Sequence, residues 1–597
     1  MRMISTRQAA LATACLIPLA TAADDEPTLQ LNPLVVTPTL STQTVDESLS
    51  SVTVIDRETL DQQQPRELSD VLRGQPGIDI STTGSFGKGT SIYTRGTGAE
   101  STVLLIDGIR IRSATNGNPP WQFIPPQLVD QIEVVRGPRA SLYGADATGG
   151  VIQAFTPDGR DRDTAWIQGG AGSFGSHEYG AGFSGSAGNT AYSLGLNHFH
   201  TDGVEVREGG DDRGFRNTSG LARLSHRFDG GIELGLTGFR AHGRTAFDGG
   251  RTDFVKQAAG TELTVPVSPV WLTSVQFSEA RDEEEQVDDD SVFDTRTRTA
   301  RIENHHAAGP HDVVFGAEFV RDEVDGSTDY DEDGRDNRAV FGQTVFVLDD
   351  ADLQLSLRWD DNEAFGDRAT GAAAIGVRLD NAHRVRLSYG TAFRAPTFND
   401  LYFPGFGNPD LSPERSQTAE LGFRGQYRTG YWDVALFETH VDDLIQFDAA
   451  TFSPQNVARA RIQGLEVAAG RRLGSVEINA AATLMDPRDR ETGNRLARRA
   501  RQSARLDVDR QMGAVSLGVT GLVQGDRYNA AENEERLSGF GLVNLRAGWK
   551  FARNWSARLT VDNVLDKDYV TARNSSDEFD YKNAGRSAFL SVRYGNR

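Results

Sequence analysis

The chain has one cysteine in 597 residues, and that residue, Cys15, falls inside an N-terminal stretch with the marks of a secretory leader. Arg2 and Arg7 supply positive charge, residues 9–19 a short apolar core, and Ala20, Thr21 and Ala22 a small-residue cleavage site. Cleavage there removes residues 1–22 and leaves a mature chain with no thiol, so disulfides and cysteine chemistry are excluded. "LATAC" also spells an acylation box, but the apolar run ahead of it is too short. Long hydrophobic runs are lacking as well. Nothing approaches the roughly 20 apolar residues of a membrane helix, which excludes a helical anchor. Helix-period apolar patterning is scarce for a chain of this length, which would otherwise divide into several globular domains. Basic charge is in deficit: the formal net charge of -22 argues against nucleic-acid binding, which calls for a basic stripe. No nucleophile–base pair, catalytic metal set or phosphate cradle is visible, so the reading is of a protein that is not an enzyme.

What the chain does have is alternation. With 63 glycines, 38% hydrophobic residues and a mean hydropathy of -0.45 it is too polar for a helical membrane protein. A transmembrane β-barrel, in which only alternate residues meet lipid, is the exception. In "GLVNLRAGWKFARNWSARLTVDN", Val543, Leu545, Ala547, Trp549 and Phe551 share one face and Asn544, Arg546, Gly548 and Lys550 the other. After the short turn "ARN", Trp555, Ala557, Leu559 and Val561 resume the apolar face. Such cycles run from residue 155 to 597, with short turns alternating with longer polar stretches such as "RDEEEQVDDDSVFD" (281–294), "RDEVDGSTDYDEDGRDNR" (321–338) and "YFPGFGNPDLSPERS" (402–416). About 20 residues per strand and connection gives roughly 22 antiparallel strands, a size at which barrels are plugged. The last segment, "RSAFLSVRYGNR", puts Ala588, Leu590, Val592 and Tyr594 outward.

Residues 46–154 differ in kind. "PRELSDVLRGQPGIDI" starts as a helix with Leu68, Val71 and Leu72 on one face and stops at Gly74, before Pro76. "STVLLIDGIRI" and "LVDQIEVVRG" are strands with near-continuous apolar runs, so both faces should be buried. A small α+β domain of this size suits a plug inside the lumen. Ahead of it, residues 23–45 contain "NPLVVTPTL", a β-branched core between Pro33 and Pro38, which cannot donate to a ladder and restrict pairing to a few residues. Arg95, Arg136 and Arg139 sit at the ends of apolar plug strands, where an unpaired charge is costly. Alternation turns Glu420 and Glu466 toward the lumen. His198 and His200 share a strand face without a third ligand nearby, and "DYDEDG" opens like an EF-hand with Asp329, Asp331, Asp333 and Gly334 but has Val340 at the twelfth position. The first pair reads as loop-edge structure, the second as a solvated outer loop where divalent ions could bridge to lipopolysaccharide.

The order of motifs resembles the TonB-dependent outer-membrane receptors over the whole mature length. The plug carries "SDVLRGQPGIDI", "IYTRGTGAESTVLLIDGIRI" and "DQIEVVRGPRASLYGADATGGVI"; the barrel carries "SYGTAFRAPTFNDLYFPGFGNPDLSPERSQTAELGFRG", "ARARIQGLEVAAG" and "LTVDNVLDKDYV". Within the family the likeness is greatest to the branch that imports cobalamin. One departure lies at the C-terminus, where Tyr594 is followed by Gly595, Asn596 and Arg597 instead of ending the chain.

The resemblance implies a monomeric receptor in the outer membrane that binds a bulky ligand outside and draws energy from the periplasmic TonB protein. Leu34, Val35, Val36 and Thr37 fall at the TonB box, which pairs with TonB as an added strand. Arg95 and Arg136 would pair with Glu420 and Glu466, locking the plug; plain fold stabilisation is the equal alternative. The glycine-rich loops 82–90 and 113–121 match by position the loops that touch cobalamin in the family, with Ser85, Phe86, Gly87, Lys88, Thr115, Asn116, Asn118 and Trp121 as candidate contacts. No cofactor is required, but acidic residues of two outer loops bind calcium in that branch, and here Glu205, Asp211, Asp212 and Asp248 stand there. A ferric-siderophore receptor shares all of this except the loops. Acidic outer loops suit a ferric anion poorly and neutral cobalamin better. A passive porin would have neither plug nor box.

Overall fold

The computed structural model describes residues 33–160, 162–448 and 452–596. The leader, with Cys15, and residues 23–32 of the following segment lie outside the described residues. Twenty-two antiparallel strands form a closed barrel, each paired with its neighbour in sequence. It closes where Thr164–Gly172 pairs with Ser587–Asn596 in the register Ile167↔Tyr594 and Gly169↔Val592. The period-2 pattern decides which way each side chain points. On Phe540–Ala552, Leu545 and Trp549 face out, while Arg546 faces in and pairs with Asp509 and Asp507. On the closing strand Leu590, Val592 and Tyr594 face out and Phe589, Ser591 and Arg593 are buried. A surface so apolar all the way round is stable only against lipid.

Two-residue turns at 188–189, 309–310, 474–475 and 513–514 mark one end of the barrel, and the connections 395–413, 525–539 and 563–586 mark the other. Two of the acidic stretches expected as outer loops are instead mostly strand. Trp271–Gln286 and Ser291–Ala308 absorb most of 281–294, and His311–Gly326 and Gly334–Val347 absorb both ends of 321–338. Charges of opposite sign across the strands make that possible: Arg281 pairs with Asp294, Arg298 with Glu279 and Glu323, and Arg321 with Asp336.

Inside the barrel the plug is built on a five-stranded sheet in the order Ser51–Ile55, Gln131–Arg136, Gly150–Phe155, Thr102–Ile106, Ile109–Arg110. The stretch read as one strand, "STVLLIDGIRI", is a hairpin. Asp107 and Gly108 turn it with φ of 45° and 80°, the left-handed pair that a tight hairpin needs. The helix expected near Leu68 runs over Leu68–Leu72 and packs Leu68, Val71 and Leu72 against Ile78, Ile80 and Trp121. A second helix, Arg57–Gln63, was not anticipated; Asp56 caps it by accepting from the Thr59 N–H.

Candidate functional site

The plug meets the barrel wall at a buried cluster of charges. Arg95 ends a plug strand in a left-handed conformation (φ 52°), and its guanidinium reaches two barrel carboxylates: Nη1 to Glu420 Oε2 at 2.6 Å, and Nε and Nη2 to the two oxygens of Glu466 at 2.8 and 2.9 Å. Arg136 Nε donates to Glu466 Oε2 at 3.1 Å and its Nη1 to Thr53 Oγ1 at 2.6 Å. Burial alone would pull the Arg95 pKa down; the charges of Glu420 and Glu466 more than offset it and hold the group above its ordinary value. At Arg136 burial outweighs its carboxylates, and the pKa falls. Gly77 (φ 68°) lies against this cluster, where a Cβ would collide with Glu466 Oε1.

Sequence reasoning missed Arg386. It bridges Glu420 (3.3 Å) and Asp433 (2.7 Å) from within the barrel and, with Ser51 of the plug, completes the shell around Glu420. Arg139 makes no bond to the cluster carboxylates and donates to Ser50 Oγ, although it lies within electrostatic reach of Glu420 and Arg95. Further plug–barrel ion pairs join Asp79 to Arg527 (3.1 Å) and Arg112 to Asp322 (2.8 Å).

At the opposite end from the long loops, the segment with Leu34 to Thr37 is docked on the plug. Leu34–Val35 pairs with Gln43–Thr44, so the segment folds back on its own continuation. Val35 is fully buried with Val45, Val52 and Val135. The chain then passes over Glu133, whose carboxylate accepts from the Val36 N–H (3.2 Å) and the Thr37 N–H (2.9 Å). Thr37 Oγ1 donates to Gln153, the Tyr143 hydroxyl donates to the Thr37 carbonyl, and Gln343 of the barrel donates to the Thr39 carbonyl. Leu34 alone of the four points to solvent, 57% exposed. Glu133 has no cation within ion-pairing distance among the described residues; burial raises its pKa, opposed by the hydrogen bonds from Thr37 and Val36.

The plug loops divide into exposed and buried residues. Ser85 and Phe86 are partly exposed; Ser85 Oγ accepts from the Ala584 N–H, and the Phe86 ring lies 6.0 Å from that of Phe174. Asn116 is exposed and Asn118 half-buried. Gly87 gives its N–H to Glu67, and Lys88, 2% exposed, spends its ammonium on the carbonyls of Phe86 and Arg213. Burial takes the Lys88 pKa down to about 7. Thr115 and Trp121 are buried too, Trp121 in the plug core beneath the helix Leu68–Leu72, so in this conformation neither presents its side chain to a cargo. Over the second loop folds the helix Phe398–Tyr402 from a long connection, giving the Phe398 and Asn399 N–H groups to the carbonyls of Ala114 and Thr115.

A β-barrel plugged in this way has known counterparts. Residues 142–564 match the family described as TonB dependent receptor-like, beta-barrel, and residues 44–151 match the TonB-dependent receptor plug domain. The chain belongs to the TonB-dependent receptors. It is therefore an outer-membrane protein, of a family of receptors and transporters rather than enzymes. Its curated relatives include the vitamin B12 transporter BtuB of Photobacterium profundum, 30% identical over 94% of this chain and 95% of that protein. The vitamin B12 transporter BtuB of Vibrio vulnificus is 28% identical with the same coverage. Among solved structures, the ferripyoverdine receptor of Pseudomonas aeruginosa superposes with a TM-score of 0.80 at 16% identity, covering 94% of this chain and 89% of that one. The ferric yersiniabactin uptake receptor FyuA of Yersinia pestis does so with 0.78 at 18%, covering 92% and 98%. Likeness at that identity speaks for the fold.

In this TonB-dependent receptor the four carboxylates expected around calcium do not converge. Glu205 pairs with Lys582 at 2.6 Å, Asp248 with Arg207 at 3.2 Å and Arg213 at 3.5 Å, and Asp211 and Asp212 are exposed. Among the described residues no three His, Asp or Glu are grouped as a metal site, so the residues present do not fit the ion. His198 and His200 fall outside any such group as well.

Proposed function

We propose that this receptor imports cobalamin or a related corrinoid across the outer membrane, with TonB engaging Leu34 to Thr37 as an added strand. The observation behind this reading is the likeness to vitamin B12 transporters: 30% identity extends over 94% of the chain, whereas the ferripyoverdine and ferric yersiniabactin receptors share 16% and 18%. Charge is in keeping with it. The outer extensions are rich in Asp and Glu, and a neutral corrinoid enters such a field with less penalty than a ferric anion.

In this reading the cargo settles on the outward loops of the plug, beneath the connection that carries Phe398–Tyr402. The strand Gln131–Arg136 links the docked segment to the charge cluster: Glu133 holds the box, and Arg136, three residues on, holds Glu466 of the barrel. Drawing the box out of its dock loads that strand and the charge cluster at its end.

Two measurements test this. Purified receptor titrated with cyanocobalamin and with ferric siderophores should bind the corrinoid at micromolar concentration or below; siderophore binding in its place would overturn the cargo while leaving the receptor family untouched. Val35→Pro removes the backbone donor that an added strand needs, so uptake of labelled cargo should vanish while binding stays unchanged. Normal uptake in that variant would remove the assignment of the box.

A further inference from the structure

The periplasmic mouth of the barrel holds a basic crevice that neither the charge cluster nor the box uses. It measures about 720 Å³ and lies between the plug helix Arg57–Gln63 and the barrel wall beside the turns at 474–475 and 513–514. Three guanidiniums converge there on one oxygen, Asp61 Oδ1: Arg57 and Arg593 at 3.1 Å and Arg558 at 3.6 Å. Arg57, 7% exposed, spends Nη1 on the carbonyls of Pro126 and Val129, and its buried Nε has no partner. Burial and the charge of Arg593 hold the Arg57 pKa below its ordinary value against the pull of Asp61. Lys550 stands exposed at the edge and makes no side-chain hydrogen bond or ion pair among the described residues. Of the other acids lining the crevice, Glu477 and Asp509 are taken by Arg472 and Arg546, which leaves Glu58. Four cations therefore face two carboxylates, in a chain whose net charge is -22.

The segment ahead of the box carries the complementary charge. Asp24, Asp25 and Glu26, which lie outside the described residues, are the only charged residues of 23–32, and no Lys or Arg occurs between Arg7 and Arg57. Where the described chain begins, the Leu34 carbonyl accepts from Gln131 Nε2 at 3.1 Å. Gln131 opens the strand whose Ile132 pairs with Ile55, two residues before Arg57, so the dock of the box and the crevice occupy neighbouring parts of the plug. Extended, the seven residues from Glu26 to Pro33 span up to about 24 Å. Other turns of the same rim carry exposed acids instead, Asp229, Asp349, Asp350 and Asp380, which repel such a segment and leave the crevice as its place.

We propose that Asp24, Asp25 and Glu26 dock in this crevice on Arg57, Arg558 and Lys550, and so hold the stretch ahead of the box on the receptor's own periplasmic face. Carboxylates there relieve the crowding of the guanidiniums and give the buried Arg57 Nε an acceptor. The acids are tethered a few residues from the buried Val35, which puts their effective concentration on the order of millimolar, so weak pairs suffice. This grip adds to that of Glu133 on the Val36 and Thr37 N–H groups. The identity of the cargo does not enter the inference, so it stands or falls apart from the import reading.

The test uses full-length receptor in detergent, with Cys15→Ala and nitroxides at Thr28→Cys and Ser475→Cys, and reads their separation by double electron–electron resonance. One short, narrow distance population is expected. Asp24→Asn, Asp25→Asn and Glu26→Gln together should lower the ratio of docked to free segment about tenfold, and raising the salt to about 0.5 M should act in the same direction. Lys550→Gln, an exposed change that leaves the fold alone, should lower it about threefold. Arg428→Gln, on an exposed turn outside the crevice, should leave it unchanged. A broad distribution in the wild type, or one that the triple variant does not alter, would overturn the proposal. So would a short distance that appears only with a soluble TonB C-terminal fragment or only at high receptor concentration, which would give the crevice to the partner or to a second copy.

Discussion

Glu466→Gln should free the plug from the barrel wall more than any other single substitution at the charge cluster. The carboxylate receives two bonds from Arg95 and one from Arg136, and the three side chains are at most 3% exposed. Removing its charge leaves a pair of guanidiniums facing a neutral amide in a buried site, a change that costs about 3–5 kcal/mol when a buried pair is broken. Glu420→Gln should cost less, because Arg95 keeps Glu466 and Arg386 keeps Asp433. Hydrogen exchange of plug amides in folded receptor reads the difference: protection in strands Ile78–Thr82 and Thr90–Thr94 should fall most in the Glu466 variant, with the barrel unaffected. Equal protection in the two variants would show that the cluster does not hold the plug in place.

Glu133→Ala should release the docked N-terminal segment without any cargo. The Val36 and Thr37 N–H groups both end on that carboxylate; the buried Thr37 N–H, left unsatisfied, costs about 1–3 kcal/mol, and the half-buried Val36 N–H adds to it. The docked form should therefore lose a factor of ten or more in population relative to the released one. A nitroxide at Leu34→Cys reports it, since that side chain already points to solvent and does not disturb the dock. Its spectrum should change from restrained to mobile, and a soluble TonB C-terminal fragment should bind without cargo. An unchanged spectrum would mean that Val35 and its valine neighbours hold the segment on their own.

The readable part of this molecule was the part written in short periods. Alternation at Leu545, Trp549, Leu590 and Tyr594 states which side faces lipid, because the choice is made residue by residue. The helix at Leu68 was legible for the same reason. Partners brought together by closure of the barrel were not. Arg386 joins Glu420 only through the strand register Ser388↔Glu420, and nothing near "HRVRLSYG" foretells it. The hairpin turn at Asp107 and Gly108 is spelled out in the sequence, but the apolar run around it reads as one strand. Trp121 looked like a flat contact for cargo among glycines and asparagines; the packing of the helix Leu68–Leu72 takes it into the core instead. In the acidic extensions, composition suggested loops and cross-strand pairing made strands.

The sheet order of the plug also fixes how it can be taken apart. Ser51–Ile55 is an edge strand paired only with Gln131–Arg136, and once the short pair Leu34–Val35 and Gln43–Thr44 has parted it is the first strand of this sheet met by a force entering from the N-terminal side. Its leading residue, Ser51, stands opposite Arg136 and gives its hydroxyl to Glu420. Tension on Pro33 therefore acts as on a zipper, opening one rung at a time, rather than shearing all the rungs together, and the first rung adjoins the buried charges. A force spectrometer gripping the chain there should record small early releases while the rest of the sheet, from Gly150–Phe155 onward, stays folded within the wall.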